Sequence, residues 1–272
     1  SVQGAVDLHI HPYPCLIPRL VDDRQVVRDA VAAGLSAVLI KCHHESTVSR
    51  AYLLSSEFPE VQVFGGIVLN HYVGGINPAA VEAALRLGGK EVWMPTVDAA
   101  YHAQVHGGTG RYDVQETGSP QGGAKPGVTV LQDGRLTGAT IQVLELIAKY
   151  DAILGTCHLS PPEIEALIEE AHRRGVRKIL LTHPYFKVPN VDLDFIAAMV
   201  KLGAKAEFGY CTVSPMWGYA TPRKIAQSIK ALGAENCVLM SDAGQRHNPR
   251  PAEALRVFAQ ILLELGITEQ EL

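Results

Sequence analysis

Val6-Asp7-Leu8-His9-Ile10-His11-Pro12 lies almost at the start of the chain, and its reading decides the fold. Apolar and polar residues alternate, the pattern of a strand in which residues i and i+2 face the same side. His9 and His11 therefore project together at the strand's C-terminal end. Pro12 has no N–H to donate and stops the ladder there. Two imidazoles on one face supply half the donors of a tetrahedral metal site. A His-x-His pair also occurs at ordinary strand ends, so its meaning depends on where other donors fall.

Outward from this stretch the sequence alternates strand and helix about eight times. A helix over Asp22–Ala33 stops at Gly34, and strand two runs Ser36–Lys41. Further strands are expected at Gln62–Leu69, Glu91–Thr96, Ala152–Cys157, Arg177–Thr182, Ala204–Gly209 and Cys237–Ser241. Asn77-Pro78, Ser160-Pro161-Pro162-Glu163 and Thr221-Pro222 open helices with a capping side chain and an early proline. Gly34, Gly88, Gly175, Gly203 and Gly233 close the helix before a strand, where the left-handed turn favours glycine. Short apolar strands such as Ala37-Val38-Leu39-Ile40 suit a parallel sheet covered on both faces. The pattern predicts an α/β fold, a (β/α)8 TIM barrel, as one domain over residues 1–272. An open doubly wound sheet would carry a glycine-rich phosphate turn after an early strand. His-x-His-Pro stands there instead.

Residues 101–136 break the rhythm. They are rich in glycine and end in an Asp133-Gly134 turn that suits a small hairpin. A segment of this length between regular elements reads as a flap over the mouth of the barrel, after strand four.

All strands of a parallel barrel end at one face, so residues at those ends converge however far apart they lie in sequence. Strand one offers His9 and His11, strand five His158, strand six His183 and strand eight Asp242. Imidazoles with a carboxylate suit zinc and accept manganese, iron or nickel. Lys41 and His43, or alternatively Cys42 and His44, face inward after strand two, according to the parity of that strand. Lys41, His43, His71, Tyr101, His102, Arg246 and His247 are candidate substrate contacts. Arg246 would match a carboxylate or phosphate. Trp217 and Tyr219 would wall the pocket or pack on its rim.

With Asp7-x-His9-x-His11, His158, His183 and Asp242 in place, the whole chain resembles the amidohydrolase superfamily of metal-dependent hydrolases. The resemblance implies that His9, His11 and Asp242 bind metal, with His158 and His183 holding a second ion or touching substrate. It further implies a metal-activated water attacking an amide, lactone or ester bond of a small molecule, with Asp242 and His183 as catalytic groups. The alternative on the same scaffold is a single-metal non-oxidative decarboxylase of a small carboxylic acid. Dinuclear members carry a bridging Lys or Glu at the end of strand four. Here Thr96 holds that position, Glu91 sits at the opposite end of the strand, and Asp98 and His102 follow in the loop. One or two ions both fit this pattern.

Composition restricts the partners. The 272 residues carry a net charge of −4, with 47% hydrophobic and 19% charged residues, and no basic run. That excludes a general attraction to nucleic acid. No apolar run approaches the ~18 residues of a membrane span. The five cysteines are scattered and form no C-x-x-C, as expected for reduced thiols. The first residues show no basic-then-apolar leader pattern, and a cytoplasmic location is expected. The expected partner is a small-molecule substrate, and homo-oligomerisation stays open.

Overall fold

The computed structural model describes residues 1–112 and 126–272. The barrel is built from β1 (Val6–Ile10), β2 (Ala37–Ile40), β3 (Gln62–Val68), β4 (Glu91–Trp93), β7 (Ile153–Gly155), β8 (Lys178–Thr182), β9 (Ala204–Gly209) and β10 (Cys237–Met240). These eight strands form one sheet in that order. Every ladder within it is parallel. The sheet closes on itself where β1 meets the chain after β10. Asp242 N donates to His9 O at 3.0 Å and His11 N to Ala243 O at 2.8 Å. The seam of the barrel thus runs through the residues the sequence singles out.

The crossover helices are α1 (Asp23–Ala33), α2 (Val48–Glu57), α3 (Pro78–Arg86), α5 (Gly138–Lys149), α6 (Pro161–Arg173), α7 (Leu193–Lys201), α9 (Pro222–Leu232) and α10 (Pro251–Glu264). Their starts follow the expected capping. Asp22 accepts from Gln25 N, and Ser160 and Glu163 form a reciprocal capping box. Helix α6 buries Ile164, Leu167, Ile168 and Ala171 at i, i+3, i+4 and i+7, one face of a 3.6-residue period. Burying each such Leu or Ile contributes about 1.5–3 kcal/mol. Inside the barrel, Trp93 fills the section between two glycines. A Cβ on Gly66 would lie 2.6 Å from the Trp93 ring, and one on Gly155 also 2.6 Å from it.

The stretch over 101–136 is more structured than expected at both described ends. A short helix α4 (Ala100–His106) follows β4, and the hairpin of β5 (Leu131–Gln132) and β6 (Arg135–Leu136) precedes α5. Asp133 and Gly134 both take positive φ (51° and 74°), the two-residue turn whose twist matches a hairpin. The rest of the proposed flap, 113–125, lies outside the described residues. A second short helix, α8 (Tyr210–Val213), directly after β9, has no clear signal in the sequence. Among the described residues no helix is long and apolar enough to cross a membrane.

Candidate metal centre

Three residues from the closure of the barrel share one point. His9 Nε2 and His11 Nε2 lie 3.3 and 3.1 Å from the same oxygen, Asp242 Oδ1. All three side chains are buried. Their donor atoms lie within 4.8 Å of one another. The alternation of β1 sends Asp7, His9 and His11 inward. Asp7 Oδ1 accepts from Ser241 N at 3.1 Å, which fixes the turn that carries Asp242.

The local backbone is bent to aim these side chains. Cys157, His183 and Asp242 follow β7, β8 and β10, and each has positive φ (52°, 31° and 48°). This left-handed region costs a non-glycine residue about 1 kcal/mol or more and persists only where neighbours enforce it. Gly244 makes a still closer approach. A Cβ there would lie 2.0 Å from His11 O.

Burial holds the imidazoles neutral. It is the first cause pushing His9, His11, His43 and His158 well below the usual histidine range, with the charges of Arg19, Lys41 and neighbouring histidines adding to it. His183 is pushed down to about 3, again mainly by burial. A neutral imidazole keeps the lone pair that binds a metal. Burial also pushes the Asp242 carboxyl up to about 7, against the lowering charges of Lys41 and Arg19.

Several buried polar atoms here have no hydrogen-bond partner: His9 Nδ1, His183 Nδ1, Asp7 Oδ2 and both carboxylate oxygens of Glu207. Glu207 Oε2 faces His9 Nδ1 at 3.9 Å. A carboxylate behind the ring orients a metal-binding histidine with Nε2 toward the ion. Two neutral nitrogens and one carboxylate fit a divalent cation.

The remaining candidates are arranged around this triad. His183 lies 6.2 Å from His9 and 5.1 Å from His158, between ring centroids. His158 Nδ1 is 2.8 Å from His102 Nδ1, so His102 supports His158 from behind and stands one layer away from the cavity. His43 stacks on His11 at 4.8 Å and pairs with Thr96 Oγ1 at 2.8 Å. The strand-two parity is resolved: Lys41 and His43 point inward, with Lys41 Nζ 2.9 Å from His9 Nε2. Asp98, a candidate stand-in for the missing strand-four ligand, accepts from His71 N at 2.9 Å instead. Glu91 is buried inside the barrel without a hydrogen-bond partner.

Arg246 is not brought to the pocket. It is exposed, and Gln245 lines the wall at that point. The cavity's arginine is Arg19, buried, with Nη2 3.4 Å from His11 Nδ1. Sequence reasoning passed over it because it lies in the proline-rich loop after β1, where no periodicity indicates direction. Tyr112 and Phe186 were also missed; both line the cavity with Trp217. Phe186 and Trp217 pack edge to face at 5.6 Å and make an apolar wall, with Phe186 also packed on His183 at 5.1 Å. The space between these groups is about 30 Å³, the scale of a single water molecule.

The comparisons with known proteins agree with this architecture. A family model matches residues 4–207, and the chain belongs to that family, a family of unknown function (DUF6282). No curated protein matches it. Among solved structures, it is similar to an amidohydrolase from Pseudomonas aeruginosa (TM-score 0.62, 13% identity, 99% of this chain and 91% of that one). The probable dipeptidase PvdM from the same organism is similar too (TM-score 0.62, 11% identity, 98% and 91%). So is an amidohydrolase from Burkholderia multivorans with bound zinc (TM-score 0.58, 13% identity, 98% and 94%). At these identities the likeness is one of fold: the (β/α)8 barrel of the amidohydrolases.

Proposed function

We propose that this chain is a metal-dependent hydrolase of the amidohydrolase superfamily, acting on an amide, lactone or ester bond of a small molecule. The observation that carries the reading is the convergence of His9 Nε2 and His11 Nε2 on one oxygen of Asp242, buried at the mouth of the barrel. These three residues would hold the metal, with zinc the first choice for an imidazole–carboxylate set. A bound divalent cation supplies Lewis acidity, lowering the pKa of water and polarising the scissile carbonyl.

The chain's own residues do the rest. The Asp242 carboxylate, which a bound cation would keep ionised, would accept the proton of the attacking water and return it to the leaving group. Glu207 faces the His9 ring from behind, 3.9 Å from Nδ1. His158 and His183 face the cavity from the opposite side, where they would take a second ion or hydrogen-bond the developing oxyanion. Arg19 and Lys41 place two cationic side chains against a small cavity, which favours a substrate bearing a carboxylate or another anion. Phe186 and Trp217 give the cavity an apolar wall beside His183.

Metal content by mass spectrometry, on protein purified without chelators, tests the reading beside the variants His9→Ala and Asp242→Ala. Each variant is expected to hold one or two equivalents fewer than the parent. A screen of amides, lactones and esters of small carboxylic acids follows, with carbon dioxide release measured in parallel. Failure to take up zinc or manganese overturns the metallohydrolase reading. Carbon dioxide without hydrolysis replaces it with the decarboxylase.

A further inference from the structure

The side of β2 that faces away from the barrel centre leads into a different set of donors. Beyond β2, Lys41 and His43 turn into the cavity, and the alternate residues Cys42 and His44 turn outward to meet Cys15 from the loop after β1. Cys15 Sγ lies 3.6 Å from His44 Nδ1, and Cys42 Sγ lies 3.9 Å from the same nitrogen. The three donor atoms lie within 4.8 Å of one another. Cys42 is buried, Cys15 and His44 half-buried.

Hydrogen bonding accounts for only part of this arrangement. Cys42 and Cys15 hydrogen-bond to each other and Cys15 to His44 Nδ1, so the shared nitrogen serves one sulfur directly. The other ring nitrogen, His44 Nε2, is buried without a hydrogen-bond partner. The distances match a metal instead. Bonds of about 2.3 Å to sulfur and 2.0–2.1 Å to nitrogen, at tetrahedral angles, separate S from N by about 3.6 Å and S from S by about 3.8 Å. An ion at the centre would satisfy all three donors at once. We propose that Cys15, Cys42 and His44 form a second metal site, separate from the His9–His11–Asp242 centre, that takes a thiophilic cation of the zinc type. Two thiolates balance the charge of a divalent ion, and sulfur donors select zinc over magnesium, calcium or manganese. Water would complete the coordination, since Cys15 and His44 are only half-buried.

The site has a structural consequence. Cys15 belongs to the loop that also delivers Ile17 and Arg19 to the cavity wall. Arg50 already ties this loop to its surroundings, donating to Pro14 O at 3.0 Å and to the carboxylates of Asp23 and Glu45. A metal joining Cys15 to Cys42 and His44 would clamp the loop from its other side and hold Arg19 against His11.

The test uses the full chain carrying His9→Ala and Asp242→Ala, so that the first centre does not contribute. This variant is stripped with chelator under reducing conditions, then loaded with zinc chloride or cobalt chloride. One equivalent of zinc and a sulfur-to-cobalt charge-transfer band in the near ultraviolet are expected. Adding Cys15→Ser, a half-exposed position that leaves the core packing intact, should abolish both while circular dichroism stays unchanged. Cys42→Ser should do the same. Zinc or cobalt uptake without the sulfur band overturns the proposal, as does no uptake by a folded protein. A Cys15–Cys42 disulfide in freshly purified parent, seen as two missing titratable thiols, also overturns it and makes the pair a redox element.

Discussion

The two ends of this barrel solve the same problem, turning the chain, in different ways. At the N-terminal end of the strands the turns use residue types suited to them. Gly34 closes α1 in the left-handed region (φ 73°), its N–H reaching the Ala30 and Val31 carbonyls, and Gly175 does the same after α6 (φ 79°). Asp151, also at that end, takes φ 51°, a value that aspartate tolerates. At the C-terminal mouth Cys157, His183 and Asp242 all adopt that region, Cys157 with a side chain poorly suited to it, and His9 Nδ1 and His183 Nδ1 stand unpartnered. One end turns the chain with little local strain. The other holds strain and unsatisfied donors in place because their positions matter more than their local cost.

The largest break in this contrast comes from the triad. Asp242→Ala or His9→Ala should remove the metal of this centre and lower turnover roughly a thousandfold or more, about 4 kcal/mol in the barrier. Thermal unfolding of the chelator-treated proteins should change far less. A variant that keeps both its metal and its rate would move the reaction elsewhere in the barrel.

The glycines sharpen the comparison next. A Cβ on Gly244 meets His11 O at 2.0 Å, whereas one on Gly175 meets nothing within 4 Å. Gly244→Ala must part the closure between β1 and β10, at an expected cost of about 2–4 kcal/mol together with the metal site. Gly175→Ala adds only the penalty for positive φ, about 1 kcal/mol, and leaves metal binding intact. Equal losses in denaturant titrations would mean that the mouth is no more constrained than the floor.

A smaller effect separates residues that recognise substrate from those that bind metal. Lys41→Met and Arg19→Met should keep the metal stoichiometry and raise KM roughly ten- to a hundredfold, about 1.4–2.7 kcal/mol. Loss of metal in Arg19→Met would instead make the arginine a support for His11.

Most of the architecture was legible because the physics behind it is local and repeated. Capping at Asp22 and Ser160, the glycine after α1 and the alternation in β1 each specify their own element, and repetition then specifies the barrel. The candidate triad was legible for a related reason: a strand end fixes both position and direction, so His9, His11 and Asp242 could be placed from their elements alone. Arg19 and Tyr112 lie in segments without periodicity, and Arg246 was expected inward from a loop whose path nothing local dictates. The Lys41/Cys42 ambiguity was real at the level of sequence. A one-residue change of parity exchanges the two pairs, and only the packing of β2 against β1 and β3 decides between them. That choice gives the hard donors to the cavity and the sulfurs to the outer cluster.

The smallest expected effect concerns protons beneath the triad. Burial pushes the Glu207 carboxyl from its ordinary 4.5 up to about 8; Lys41 opposes the shift and Asp242 and Asp7 reinforce it. Between those values the folded chain keeps a proton that the unfolded chain releases, so stability falls as pH rises from about 4.5 towards 8. His183 acts with the opposite sign. Held at about 3 against an ordinary 6.5, it refuses a proton that the unfolded chain accepts, and stability falls as pH drops through that range. Without metal, the protein should therefore be most stable at mildly acidic pH. Glu207→Gln should flatten the alkaline arm, steepen the rise between about 4.5 and 6.5, and leave the slope below that range unchanged. It should not abolish the slope, because Asp7 and Asp242 are raised as well, to about 6 and about 7. Urea unfolding of the chelator-treated parent and variant at several pH values between 5 and 8 measures the difference. Identical slopes would show that Glu207 is ionised in the folded chain; the carboxylate would then confront His9 as a charge, and the imidazole, not the acid, would carry the proton between them.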